Sequence, residues 1–577
     1  MKTDPVTLEI LVNKYAAAAE QMGFALQRTG RTLYVKDAGD FGTGIATPQG
    51  RFFAYPWSIG VCGFVGGECG PALAAVQSIE PLEPGDVIIT NHPYESAGLS
   101  SHLPDLNVVQ PYFHDGEIVA CGWSFVHTSD VGGKVPGSIS PSNYEIFQEG
   151  FSIPPMKLLR RGEFNRDFLT LYRSNVRTPE PNVGDIKAML AALKVGEQRI
   201  REVIDQIGVE AFVQSQHDVM TYAAGKAREN LRKIPDGTYE FWDYIDDDYV
   251  TPFPSRIRVA MTVNDGHVHL DFAGSDPQTM SAFNLANTPN RHTWFPIRLI
   301  GFIATYDESG TVPLNAGLFD SITVSAPKGT ILNAEPPAAV GVRHATGVRI
   351  QDVVNGALAR AVPHMMTACN GSITVPIVLS EQDPRTGERK VQVIETLPTG
   401  QGAREGHDGV DGRDSNVSNM MNIPIESVEA AGGVILRHYG LWPDSGGPGK
   451  WRGGAGMMLT FEVLGDGCMI TARGTERLRF SPWGLAGGRP GWPGRVVLNM
   501  GTVAEKDVGK IDALPVQAGD TLTMITPGSG GFGDPFERVP AAVLDDVRRD
   551  LVSVDHAEAD YGVVIVEGRV EEQATAN

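Results

Sequence analysis

A mixed α+β, multidomain fold is predicted for this chain, and three observations predict it. Apolar residues recur at helical spacing through much of the first 235 residues. The period switches to two after Pro235-Asp236-Gly237, and glycine becomes dense beyond residue 335. At 577 residues the chain also exceeds what one compact core holds. The boundaries that follow are 1–235 for a helical and hairpin-rich N-terminal part, 236–334 for a β-rich middle part, and 335–577 for a Gly-rich mixed α/β part.

The elements can be justified in order. Leu8, Leu11, Tyr15, Ala18, Met22 and Leu26 stand three or four residues apart and predict a helix over 7–29. Asp4 is its cap and Pro5 sits in its first turn. Short β-like pieces follow at 52–55, 86–90, 106–113 and 118–126, with Asp115-Gly116 as the hairpin turn between the last two. Segments rich in Ala, Leu, Ile, Glu and Arg predict helices over 185–207 and 209–233. In the middle part Ile257, Val259 and Met261 alternate with polar residues, Asp265-Gly266 turns, and Val268, Leu270 and Phe272 alternate back. A helix over 346–361 precedes Gly-rich short strands, an amphipathic helix over 540–551 occupies the tail, and 571–577 are expected to be disordered.

Composition excludes several functions. The net charge of -21, from 48 basic and 69 acidic residues, repels nucleic acid and anionic membranes, so neither is an expected partner. No 18-residue apolar run marks a membrane span, and Met1 to Pro5 lack the basic-then-apolar signature of a signal peptide. Five scattered cysteines without a Cys-x-x-Cys pair read as reduced thiols of a cytoplasmic protein. Cys62 and Cys69, in a Gly-rich loop, are a minor option for metal.

The chemistry concentrates in His102-Leu103-Pro104-Asp105 and His127-Thr128-Ser129-Asp130. Imidazole and carboxylate together suit zinc, iron or manganese. The hairpin between them brings the start of its first strand beside the end of its second. A strict two-residue turn at Asp115-Gly116 pairs Asp105 with Val126 and puts Asp105 and His127 on opposite faces. Shared ligation therefore demands a three-residue loop or a bulge. The alternative is that His102 caps a loop and His127 is a hydrogen-bonded core histidine. His267 and His269 share a face that reads as a solvated hairpin, whereas His344 and His407 lie in Gly- and Arg-containing segments that line either a pocket or a loop.

Nucleotide motifs fail. Gly446-Gly447-Pro448-Gly449-Lys450 has Asp444 where a phosphate loop needs its first glycine, and Trp451 where it needs Ser or Thr. The glycine-rich 526–535 stretch opens no strand-to-helix crossover, and no Gly-x-Ser-x-Gly elbow is present. If ATP is used, another chain is expected to hold it.

Taken together, these stretches resemble the hydantoinase B/oxoprolinase family over nearly the whole chain. Carrying the resemblance are Asp4 to Ile10, Lys36 to Phe41, Asn91-His92-Pro93-Tyr94, His102-x-x-Asp105 and His127-x-x-Asp130-Val131-Gly132-Gly133. It continues through Pro136-Gly137-Ser138, Glu145-Ile146, Glu149-Gly150, Ile153-Pro154-Pro155, Arg404 to Gly412, Asp444 to Gly447, Pro482 to Leu485 and Pro527 to Pro535. The chain departs from the family pattern at Ser58-Ile59-Gly60-Val61-Cys62, where the family often has His-(Ile/Val)-Pro-Val-His. It departs again at His92, usually Asp, and at Asn419-Met420-Met421-Asn422-Ile423-Pro424. These departures bear on the substrate rather than on the metal.

The resemblance implies a hetero-oligomer with an actin-like, hydantoinase A-type ATPase chain that binds ATP. It implies ATP-dependent opening of hydantoins, 5-oxoproline or lactams, or, in related enzymes, carboxylation of ketones. It places a divalent metal, zinc or manganese, on Asp40, His102, Asp105 and His127; Asp40 enters through the resemblance alone. Asp130 is a candidate to orient an imidazole or accept a proton, or else caps the Val131-Gly132-Gly133 turn. Arg404 and Arg343 are candidates to hold a substrate carboxylate or phosphate, or else are structural in their loops. A third reading makes the chain a non-catalytic scaffold of the ATPase.

Overall fold

Asp4 accepts the Thr7 amide and starts α1 (Pro5–Thr29), whose predicted apolar stripe, Leu8 through Leu26, is buried. The computed structural model describes the chain except residues 288–291, 311, 373–374, 384–385, 388, 415–417, 572–574 and 576–577, and the side chain of Cys62. The expectation of disorder at the C-terminus falls largely outside the described residues, and so does the metal option at Cys62.

The N-terminal part is built on β1 (Phe41–Ala46), β2 (Phe52–Ala54), β3 (Val87–Thr90), β4 (Asp105–His114), β5 (Glu117–His127), β6 (Met156–Arg160) and β7 (Glu163–Phe164). They form one antiparallel sheet in the order β2-β1-β5-β4-β3-β6-β7. Its helices are α1, α2 (Gly70–Gln77), α3 (Arg166–Asn175), α4 (Pro179–Ile207) and α5 (Val209–Leu231). Helix α4 begins six residues before the predicted 185 because Pro179 is tolerated in a first turn, where its missing N–H costs nothing. Alternate strand residues serve two cores. Ile45, Val108, Ala120 and Val126 pack under α1 and α4, while Ala46, Val109, Trp123 and Phe125 pack on the other face.

That second face meets the middle part: β8 (Gly237–Ile245), β9 (Ser255–Asn264), β10 (His267–Asp271) and β11 (Ile322–Ser325), with α6 (Ile297–Tyr306) and α7 (Arg343–Ala361). The sheet runs β11-β10-β9-β8, with β10 and β11 parallel. Asp265 and Gly266 turn with φ 47 and 74, as a two-residue hairpin requires. His267 and His269 are exposed on β10, where His269 bonds Thr323 and Ser325. One continuous core joins the N-terminal sheet, the middle strands and α7, so it does not stop at 235 or 334. Helix α7 starts at Arg343, not at 346, and its first turn is wholly buried.

The C-terminal part contains β12 (Val375–Gln382), β13 (Arg389–Leu397), α8 (Ile425–Ala431), β14 (Val434–Leu441), β15 (Met457–Val463), β16 (Cys468–Ala472), β17 (Arg495–Leu498), β18 (Lys506–Asp507), β19 (Leu514–Val516) and β20 (Thr521–Ile525). Two sheets, β13-β12-β16-β19 and β14-β15-β20-β17-β18, enclose one core that also takes Tyr34 and Ala38 from the N-terminal part. Its glycines are packing residues. A Cβ on Gly528 would lie 1.8 Å from the Ser445 carbonyl oxygen, and one on Gly530 would lie 2.0 Å from that of Trp483. Backbone lies directly on backbone here, which is why these runs are rich in glycine although they carry no nucleotide motif. The tail has two short helices, α9 (Pro540–Arg548) and α10 (Val554–Tyr561), where the sequence pattern predicts one. None of the described helices is long and apolar enough to cross a membrane.

Glu395 offers a test of this C-terminal core. Its Oε1 accepts the Thr396 amide, and burial pushes its carboxyl up to about 7 against the pull of that amide. Between the ordinary carboxylate value and about 7, the unfolded chain ionises while the folded one stays protonated. The contribution to stability is therefore full at low pH and lost as pH rises through about 7. Glu395→Gln, which cannot ionise, should raise the thermal midpoint at pH 8 and leave it unchanged at pH 4. A midpoint raised equally at both would show that ionisation is not the cause.

Candidate metal centre

The hairpin meets the demand of shared ligation by the second of its two routes. Asp115 and Gly116, with φ 48 and 86, form the two-residue turn, and His114 pairs with Glu117. The register then shifts between Tyr112 and Phe113, so that Val119 is extra and Asp105 stands directly opposite His127. Both side chains point to the face that meets the middle part, as do Trp123 and Phe125, four and two residues before His127.

His102 arrives from the turn before β4. Asn91 pins that turn, donating to the Leu103 and Phe151 carbonyls and accepting the Ile153 amide. His102 Nε2 lies 2.9 Å from Asp105 Oδ1, His127 Nδ1 lies 3.2 Å from the same oxygen, and the two nitrogens are 3.3 Å apart. All three residues are buried, His102 fully. Ligands about 2.0–2.1 Å from an ion stand roughly 2.8–3.0 Å apart in octahedral and roughly 3.3–3.4 Å apart in tetrahedral geometry. The triangle therefore fits a divalent ion of either geometry.

The surroundings fix which lone pairs face the centre. His102 Nδ1 donates to the Gly341 carbonyl at 3.3 Å, which leaves the Nε2 lone pair facing Asp105 Oδ1. Asp105 Oδ2 accepts from Ser101 Oγ at 2.7 Å and Arg343 at 3.0 Å, so Oδ1 is left to the histidines. Two lone pairs 2.9 Å apart in a dry interior require a cation or a proton between them. His127 Nε2 accepts from Arg473 at 2.9 Å, and Arg473 also reaches Tyr34 Oη and the Gly137 carbonyl. Burial, then Arg343, pushes His102 down to about 3, so its lone pair is free at neutral pH. Burial alone would raise Asp105, but the Arg343 guanidinium beside it favours the carboxylate and holds the carboxyl well below its ordinary value.

Asp40, at the mouth of β1, lines the same cavity beside His127, whose amide donates to the Asp40 carbonyl at 3.1 Å. Its carboxylate is not among the ligand atoms that lie within 4.8 Å of one another. Burial pushes it up to about 6, with His127 opposing. The cavity, about 80 Å³, has an apolar wall of Val61, Phe64, Phe125, Ile139, Trp294, Pro376 and Met420. A larger cleft of about 670 Å³ lies between the Gly66–Gly67 loop and β11; among the described residues its only acidic lining residue is Glu68, and no histidine lines it. Volume and chemistry disagree, and the chemistry marks the smaller cavity. A second ligand-like group, Asp243, Asp352 and Cys369, already holds the Arg477 guanidinium, which fills the place of an ion.

Two sequence candidates lie elsewhere in role. Asp130 is fully buried, but its Oδ1 accepts the Gly132 and Arg177 amides and its Oδ2 accepts the Gly137 amide and the Arg177 guanidinium. It caps the turn and bonds no imidazole among the described residues, which is the arrangement the capping alternative expects. Arg404 is exposed, in a backbone turn with His407, and does not line the cavity. The guanidiniums at the centre are Arg343, which bonds Asp105, and Arg473, which bonds His127. His344 lines the cavity from the first turn of α7, whereas His407 is exposed. No motif of the sequence points to Arg473, Tyr34 or Trp294, which complete the surroundings.

The family model for hydantoinase B/oxoprolinase matches residues 4–535. Uncharacterized protein MJ0963 of Methanocaldococcus jannaschii is 34% identical over 573 residues, 98% of this chain and 96% of that protein. The B-type chain of a putative D-/L-hydantoinase from a Pseudomonas species is 29% identical over 98% and 96% of the two chains. The beta chain of caprolactamase from Pseudomonas jessenii is 30% identical over 99% and 98%. Among solved structures, the ATP-dependent caprolactamase of Pseudomonas jessenii superposes with TM-score 0.89 at 28% identity, covering 100% of this chain and 99% of that one. A nucleotide-free acetone carboxylase superposes with TM-score 0.90 at 19% identity over 100% and 82%, which shows a shared fold. With a family model over almost its full length, this chain belongs to the hydantoinase B/oxoprolinase family.

Proposed function

We propose that this chain is the metal-binding subunit of an ATP-dependent cyclic amide hydrolase, opening a hydantoin, 5-oxoproline or lactam ring. The observation that carries the reading is the buried His102, Asp105 and His127 triangle, with the His102 lone pair turned inward by the Gly341 carbonyl. The names of the related hydantoinase and caprolactamase chains support the chemistry and a partner. An actin-like ATPase partner is proposed to bind ATP and phosphorylate the amide oxygen, because lactam resonance makes unassisted attack slow.

His102, Asp105 and His127 would hold the ion, with Asp40 completing the set from β1. A divalent ion in that position, zinc or manganese, acidifies water and polarises a carbonyl. The chain's own residues supply the rest. Arg343 and Ser101 orient Asp105, Arg473 orients His127, and Gly341 orients His102. Phe64, Phe125 and Trp294 shut out bulk water from the cavity.

The test is to express the chain with and without its ATPase partner and to offer hydantoin, 5-oxoproline and ε-caprolactam with ATP. Ring opening that needs both chains and ATP is expected. Bicarbonate-dependent consumption of a ketone would favour the carboxylase reading instead. Turnover by this chain alone with ATP would sink the two-subunit scheme.

A further inference from the structure

Glu149-Gly150 stands in the sequence as a motif without a role, and the structure places it one step behind the metal centre. Glu149 is 1% exposed, and its Oε1 accepts two consecutive amides, Val340 at 2.7 Å and Gly341 at 2.5 Å. The Gly341 carbonyl is the acceptor for His102 Nδ1. Two residues further, Arg343 donates to Asp105 and Ser101. One short segment, 340–343, thus steers two members of the triangle, and one carboxylate oxygen holds its start.

Glu149 is itself fixed from the other side. The Phe151 amide donates to the Val131 carbonyl at 2.7 Å, and the Lys134 amide to the Gln148 carbonyl at 2.8 Å. This approach needs glycines: a Cβ on Gly133 would stand 2.5 Å from the Gln148 oxygen, and Gly150 has φ +135. The segment bearing Glu149 therefore rests on the turn that leaves β5 just past His127. Contacts run unbroken from that turn through Glu149 and Gly341 to His102.

We infer that Glu149 is a positioning residue for the metal centre, acting through the Gly341 carbonyl to set the orientation and tautomer of His102. The inference rests on the reading that His102, Asp105 and His127 hold an ion. One oxygen suffices for the task. Glu149 Oε2 has no hydrogen-bond partner among the described residues, and burial pushes the carboxyl up to about 8 against the Gly341 and Val340 amides and Arg343. Acceptance rather than charge is what the geometry uses, and a neutral amide carbonyl at the same place supplies it.

The experiment is cobalt(II) binding to the full-length chain stripped of metal, measured by chelator competition and by the visible ligand-field bands. Glu149→Ala is expected to weaken binding by about 10–100-fold and to shift the bands, while Glu149→Gln restores both. Gly341→Ala, whose Cβ would stand 3.0 Å from Glu149 Oε1, should weaken binding in the same direction with Glu149 still present. It decides the matter if Glu149→Ala fails to fold. Wild-type affinity and bands in Glu149→Ala, or in Gly341→Ala where that variant decides, overturn the proposal. So does a lowered thermal midpoint with unchanged bands, the mark of a purely structural role. If the wild type binds no cobalt, or His102→Ala binds it as well, the metal reading fails first and this inference falls with it.

Discussion

His102→Ala and His127→Ala are each expected to abolish stoichiometric metal binding while leaving a folded chain. Each side chain supplies one corner of a triangle whose edges are 2.9–3.3 Å, so removing either leaves two corners with Asp40 beside them. Loss of an outer contact to a ligand already costs about 10–100-fold in affinity, and loss of the ligand itself costs at least that. The fold should survive. His102 sits in a turn held by Asn91, and without it Asp105 keeps Ser101 and Arg343. His127→Ala removes the acceptor of Arg473 but leaves that guanidinium Tyr34 and the Gly137 carbonyl. Plasma mass spectrometry on the purified variants, beside circular dichroism, reads both halves of the expectation. Metal retained at the wild-type ratio in both would show that the triangle holds no ion.

Arg477→Ala is expected to cost about 3–5 kcal/mol of stability, the usual penalty for unpairing a buried charge. Arg477 is buried among Asp243, at 2.7 Å, and Asp352, at 2.9 Å, with Arg349 bonding Asp352 from the other side. Two carboxylates and two guanidiniums balance. Burial pushes both carboxyls up; Arg477 and Arg349 outweigh it at Asp243 and fail to at Asp352. Without Arg477, two carboxylates share one guanidinium in a dry interior, joining β8, α7 and the segment after β16. The deficit should therefore shrink at pH 5, where Asp352 can carry a proton. Urea transitions at pH 8 and pH 5 measure it. A loss below about 1 kcal/mol at pH 8, typical of exposed pairs, would show that the cluster is not dry.

The local half of the candidate site was legible in the sequence. Hairpin geometry required either a longer loop or a bulge if Asp105 and His127 were to share a face, and the bulge at Val119 is what the chain uses. The helix over 7–29 was readable because its stripe and its cap are both local. Asp40 was reached only through family resemblance, since nothing in its spacing ties it to His127 before the β1–β5 register is known. Arg473, Gly341 and Glu149 were out of reach for a related reason. Each acts across more than 180 residues, through backbone carbonyls or single guanidinium bonds that leave no periodic trace. Arg404 stood open between substrate contact and loop structure, because an arginine among glycines marks a loop without saying which way the loop faces. The C-terminal glycines carry no nucleotide motif, and they are dense because carbonyls of neighbouring segments occupy the space a Cβ would need.

The reach of Arg473 back to His127 has a consequence for how the chain is made. Both histidines and Asp105 leave the ribosome early, yet the carbonyl that turns His102 and the guanidinium that turns His127 are synthesised hundreds of residues later. On the proposed metal reading, a nascent chain would carry the donors but not their orientation, and would hold cations loosely. Selection of an ion would then begin only once the segment bearing Arg473 has folded back onto His127.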